Sequence, residues 1–173
     1  AFVFGLRHVP LALGFLQTYI RRFAEMMLSV ALFFLIVNTV RSEARLRRVL
    51  VALMLGSFAS ALLGVALYVV ADQISSDFVI RALSALGRIG YPTGPGVLRY
   101  IRENPELPMR ATSTSVDPNV LGSLLNVSLA ITVPQLFVER PLIRRRYLVP
   151  MLGIMGLCLA LTMSRGSMVG LGA

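Results

Sequence analysis

Between Val49 and Ala71 the chain runs for 23 residues without a charge. At about 1.5 Å of rise per residue, a helix of that length covers roughly 35 Å, enough to cross the hydrocarbon of a bilayer. No other feature narrows the possible folds as much. A backbone surrounded by lipid must satisfy its own hydrogen bonds, which leaves helices or closed barrels. Composition agrees: 56% of the residues are hydrophobic and 14% are charged, a balance that a water-soluble domain of 173 residues would struggle to keep in solution. The expected class is therefore all-α, a polytopic helical membrane protein.

The remaining apolar runs set the expected architecture. Phe23 to Val40 is a first span whose one charge, Glu25, lies near its end, and Val49 to Ala71 is the second. Residues 72–117 form a long polar loop broken by "GYPTGPG" and "ENPELP". Val120 to Phe137 is a third span with the strongly polar Asn126 inside it, and Leu148 to Met163 is a fourth. "SRG" then interrupts, and "SMVGLGA" starts a fifth. Leu11 to Ile20 is too short to cross and is expected as an interfacial or re-entrant piece. The chain opens at Ala1 and stops at Ala173 inside apolar sequence, as expected of the central part of a larger membrane domain.

All 17 cationic residues are arginine. The short connections "RSEARLRR" and "ERPLIRRR" hold four each, whereas the long loop holds five. Arginine-rich short loops stay on the cytoplasmic side, so the long loop is expected to face outward. Arg21 and Arg22 would then lie outside as well, against the trend of the two basic loops. The arginines fall between apolar spans and form no single basic face with interleaved aromatics, which disfavours nucleic acid as a partner. Membrane lipids are the expected surroundings. A single cysteine, Cys158, excludes an internal disulfide and a cysteine-built zinc site.

One polar stretch stands at the mouth of the third span. In "RATSTSVDPN", Asp117 is a good N-cap and Pro118 a good first helical residue. A helix start exposes unpaired N–H groups and about half a positive charge, a ready place for phosphate. Arg110 and the hydroxyls of Thr112, Ser113, Thr114 and Ser115 precede it, although Asp117 itself would oppose an anion there. Arg165 follows the second basic loop by about 19 residues, roughly 28 Å along a helix, so it is expected on the same side as Arg110. The residues alone leave two readings open: a capped helix and an interfacial arginine, or an anion site.

A resemblance bears on that choice. "RATSTSVDPNVLGSLL" resembles a signature of the O-antigen ligase and O-antigen or exopolysaccharide polymerase superfamily, in which an Arg, a small-residue turn and a Thr precede an Asp/Asn-Pro-Asn that opens a membrane helix. "LALTMSRGSMVGL" resembles the second signature, a helix ending in Thr-x-Ser-Arg-Gly. "VNTVRSEARLRRVLVALMLG" is similar to the link between the two preceding helices. Ser113 stands where a glycine is common and Ser115 where an aromatic is common, departures that suggest a divergent branch.

The resemblance implies a metal-independent glycosyltransferase with no cofactor, acting at the outer face of the bacterial inner membrane. It would move a glycan from an undecaprenyl diphosphate carrier to a sugar hydroxyl on an acceptor glycan or lipid. It also implies Arg110 and Arg165 as the groups that hold the diphosphate. Thr112, Ser113, Thr114, Asp117, Asn119 and Ser164 would line the substrate, and Arg99 and Arg102 in "LRYIREN" would be weaker contacts. The chemistry suits arginine, which stays protonated and grips phosphate oxygens with a two-pronged fork. No base is assigned: His8 is the only histidine, and Asp117 is better suited to capping. The competing class is a transporter or flippase segment that binds lipid-linked or anionic solutes without chemistry.

Overall fold

In the computed structural model, residues 13–85, 87, 98–101, 107–115 and 117–172 are described. The chain divides into two units, Ala1–Leu46 and Arg47–Ala173. His8, Arg102, Glu103, Glu106 and all of "GYPTGPG" lie outside the described residues.

The first unit holds helix α1, Leu13–Thr39. The segment expected to be a separate interfacial piece is continuous with the first span, because no glycine or proline between Phe15 and Thr39 interrupts it. Phe23, Phe33, Phe34 and Leu35 on this helix are exposed. Two arginines of the basic connection close its C-terminal end: Arg41 Nε donates to the Asn38 carbonyl at 2.9 Å and Arg45 Nη1 to the Thr39 carbonyl at 2.9 Å. Cations on the last carbonyls of a helix satisfy orphan acceptors and oppose its dipole. Ser42 then caps the next helix, its Oγ accepting from the Arg45 N–H. This basic stretch thus has a local structural job besides any effect on topology.

Helix α2 follows, Glu43–Gln73, longer at both ends than the uncharged run that announced it. Its packing is inverted relative to a water-soluble helix. Ser57, Ala61 and Gly64 are buried with Met54, while Leu55, Leu62, Leu63 and Val69 are exposed. Small residues at the contact let backbones approach closely, the arrangement favoured where the surroundings are as apolar as leucine. A Cβ on Gly64 would lie 3.0 Å from Cys158 Sγ. Buried hydroxyls add polar links: Ser57 Oγ bonds Ser128 Oγ, and Ser60 Oγ lies 3.1 Å from Ser113 Oγ.

The third and fourth expected spans become helices α4, Pro118–Thr132, and α5, Arg145–Leu161. The third ends as an α-helix five residues before Phe137, because Pro134 lacks the N–H needed to continue; a 3-10 turn, Val133–Leu136, carries the chain on. α4 packs against α5 and against a short helix α6, Arg165–Gly172, which occupies the start of the expected fifth span. Ala61, Ala111, Leu121, Leu125, Leu129, Met155, Cys158 and Leu159 form the core among these helices. Two helical stretches, Glu43–Gln73 and Pro118–Leu136, are long and apolar enough to cross a membrane.

The long polar segment includes regular elements among its described residues. It contains helix α3, Ser76–Ser84, capped by Ser75, whose Oγ accepts from the Phe78 N–H. Val79 and Leu83, one turn apart, bury its apolar stripe against Leu98. Two short strands, β1 (Arg99–Tyr100) and β2 (Met109–Arg110), pair antiparallel, with Arg99 opposite Arg110 and Tyr100 opposite Met109.

Candidate functional site

The end of α5 prepares the site. Thr162 caps that helix, and Met163 turns the chain with φ 48°, in the left-handed region that a β-carbon disfavours. Ser164 then caps α6: its Oγ accepts from the Ser167 N–H at 3.5 Å and from the Ser167 hydroxyl at 3.0 Å. This leaves Arg165 at the first position of α6, with its side chain exposed. Among the described residues Arg165 has no hydrogen-bond or ion-pair partner.

The β-ribbon docks on the same corner. The Ala111 N–H donates to the Leu161 carbonyl at 3.0 Å, and Arg110 Nε donates to the Thr162 carbonyl at 2.7 Å. Both acceptors belong to the last turn of α5, whose carbonyls have no partners within the helix. Arg110 Nη2 donates to Asn119 Oδ1 at 3.0 Å, so the guanidinium bridges the end of α5 and the first turn of α4. The start of α4 is already closed: Asp117 Oδ1 accepts from the Asn119 N–H at 2.8 Å. A carboxylate occupies the place where a bare helix terminus would attract an anion, so attraction for negative charge must come from the arginines.

These elements surround an open cavity of about 560 Å³, lined by Ile101, Arg110, Asn119, Met163, Arg165 and Gly166. Among the described residues two guanidinium groups line it and no carboxylate does. The ribbon register sets Arg99 directly across from Arg110, on the same face, and like charges in that relation repel. Among the described residues no group of three His, Cys, Asp or Glu side chains is placed to hold a metal.

Of the residues singled out in the sequence, Arg110, Arg165 and Asn119 meet in this cavity. Thr112 and Ser113 are buried and absent from its lining, Ser113 Oγ lies 3.1 Å from Ser60 Oγ, and Thr114 is exposed. Asp117 and Ser164 act as helix caps. Arg99 faces Arg110 across the ribbon, and Arg102 lies outside the described residues.

Ser113, where the resembling family commonly has glycine, has φ 51°, a conformation glycine adopts without strain. Ser113 and Met163 are the two non-glycine residues with positive φ among those described, and each lies within three positions of a cavity arginine. Such strain costs about 1 kcal/mol or more per residue and tends to collect at functional sites. Close packing locks the corner further. A Cβ on Gly122 would overlap Ser167 Oγ and stand 3.0 Å from Ser167 Cβ.

The ribbon and the lining by Ile101, Met163 and Gly166 were not legible in the sequence. A hint existed in the "Leu-Arg-Tyr-Ile" alternation of residues 98–101, too short to distinguish from loop. Comparison with protein-family models, curated proteins and solved structures finds no match for the chain.

Proposed function

We propose that the protein is a membrane glycosyltransferase of the ligase or polymerase type, moving a glycan from an undecaprenyl diphosphate carrier to a sugar hydroxyl in O-antigen or exopolysaccharide assembly. The observation that carries this reading is the shared cavity of Arg110 and Arg165, brought together from two separate sequence signatures with no carboxylate among the described lining residues. A pair of guanidinium groups in an open cavity, with no carboxylate among its described lining, suits a diphosphate better than a neutral solute. Two helices long and apolar enough to cross a bilayer support a membrane setting. In this reading the segment crosses the bacterial inner membrane four times, through α1, α2, α4 and α5, and the cavity opens at the outer face.

In the transfer, the acceptor hydroxyl oxygen attacks the anomeric carbon. The bond from that carbon to the phosphate oxygen breaks, and its electron pair leaves with the lipid diphosphate. The hydroxyl proton passes to a base outside the described residues. Negative charge develops on the leaving oxygen, where Arg110 and Arg165 would stabilise it more in the transition state than in the ground state. Arg110 is held in place for this by Thr162 and Asn119, so its orientation is set before substrate arrives. The test is glycan transfer by the full-length protein from a lipid diphosphate donor, comparing wild type with Arg110→Ala and Arg165→Ala. Loss of transfer in both supports the reading; transfer at the wild-type rate in both removes it. Donor passage across vesicle bilayers without transfer would instead assign the chain to a transporter or flippase.

A further inference from the structure

The β-ribbon has two faces, and the cavity with the arginines uses one of them. In a strand successive side chains point to opposite sides, so Tyr100 and Met109 face away from Arg99 and Arg110. They line a second cavity of about 520 Å³, completed by Tyr68, Asp72, Ser76 and Pro108. Its volume lies within the range of small-molecule sites. Its floor is fixed, because Tyr100 and Met109 pack on the cluster built from Val79, Leu83 and Leu98.

The lining chemistry is specific. Tyr68 and Tyr100 supply two half-buried aromatic rings. Asp72 is exposed, and its Oδ2 is held by Gln73 Nε2 at 2.7 Å, which leaves Oδ1 to accept from a ligand. Ser76 adds a hydroxyl. Among the described residues no arginine lines this cavity, so none of them favours phosphate, and a carboxylate with a hydroxyl is ill suited to an acyl chain. A pyranose ring matches: its apolar C–H face packs on aromatic rings, and its hydroxyls donate to a carboxylate.

We propose that the cavity between Tyr68, Asp72, Ser76 and Tyr100 is a saccharide subsite for one neutral pyranose ring of the glycan. The inference rests on the glycosyltransferase reading for the source of that sugar, whereas the cavity's preference for sugar rests on its own lining. The ribbon then separates two chemistries, with phosphate on the arginine face and sugar on the tyrosine face. Asp72 repels a sugar that carries a carboxylate.

The experiment uses the full-length protein in a detergent without a sugar headgroup. Saturation-transfer NMR reads the binding of free neutral hexoses, N-acetylhexosamines and a uronic acid, and calorimetry reads the binding of inorganic pyrophosphate. Neutral sugars should show ring C–H enhancements and the uronic acid should not. Tyr100→Ala and Asp72→Asn should each weaken sugar binding about tenfold while leaving pyrophosphate binding intact. Arg110→Ala should do the reverse. Asp72 is exposed, so Asp72→Asn remains informative if Tyr100→Ala disturbs the fold. Sugar binding absent from wild type, unchanged in both variants, or preferring the uronic acid overturns the subsite. Sugars that bind where pyrophosphate does not would refute the diphosphate reading and leave the subsite standing. A raised KM for donor or for acceptor in Asp72→Asn identifies whose sugar occupies it.

Discussion

Arg165→Ala and Arg110→Ala are expected to separate chemistry from folding. Arg165 is exposed and without a hydrogen-bond or ion-pair partner among the described residues, so its loss should change stability by no more than about 0.5 kcal/mol. Removing a cation from the site of developing charge costs about 3 to 4 kcal/mol, or roughly a hundredfold to a thousandfold in rate. Arg110 differs, since it donates to the Thr162 carbonyl and to Asn119 Oδ1. Hydrogen bonds from a charged donor contribute about 1.5 to 3 kcal/mol each, and partial exposure here lets water recover some of that. A net destabilisation of about 2 kcal/mol remains, which lowers Tm by roughly 4 to 8 °C for a chain of this size. The assays are thermal unfolding in detergent and single-turnover transfer from a lipid diphosphate donor. Arg165→Ala should unfold like wild type and transfer at least a hundredfold more slowly; Arg110→Ala should lose both. Full transfer activity in a well-folded Arg165→Ala protein would refute the argument for a paired clamp. An unchanged Tm in Arg110→Ala would refute its bridging role.

Further outcomes follow from local geometry. Gly122→Ala should destabilise the α4–α6 corner by about 1 to 3 kcal/mol, and Ser167→Gly in the same chain should recover much of it, as read by paired unfolding curves. Met163→Gly should raise stability by about 1 kcal/mol by relieving the left-handed turn, measured in the same way; a fall would show that the methionine side chain contributes more than the turn costs. In a Cys158→Ser background, single cysteines at Ser42 and Ser76 should react with an impermeant thiol reagent from opposite sides of the membrane, and reaction of both from one side would overturn the proposed topology.

The helices were legible because apolar runs and their breakers are local signals. Asp117 and Pro118 opened α4 as their types dictate, and the uncharged run at residues 49–71 marked α2. Pro134 is a breaker inside the apolar run of the expected third span, and the α-helix stops short of it. The Val79 and Leu83 spacing of α3 was also present, behind the charges of Asp77 and Arg81. The ribbon was not legible, because its position depends on the Leu161 and Thr162 carbonyls, far along the chain. The pairing of Arg110 with Arg165 came from the order of two signatures and the length of one helix. The roles of Ser113 and Ser164 as packing and capping groups needed coordinates, since hydroxyl side chains serve ligands and backbones equally well.

The inverted face of α2 carries a consequence for what glues this molecule together. In the proposed membrane setting oily side chains point outward into oily surroundings, the drive to hide them vanishes, and cohesion falls to close backbone approach and to links such as Ser57 with Ser128. Enlarging Ser57 to leucine, which would enrich the interior of a water-soluble protein, would here wedge two rods apart and sever their tie. In such a molecule greasiness decides where the helices reside, and smallness decides which of them touch.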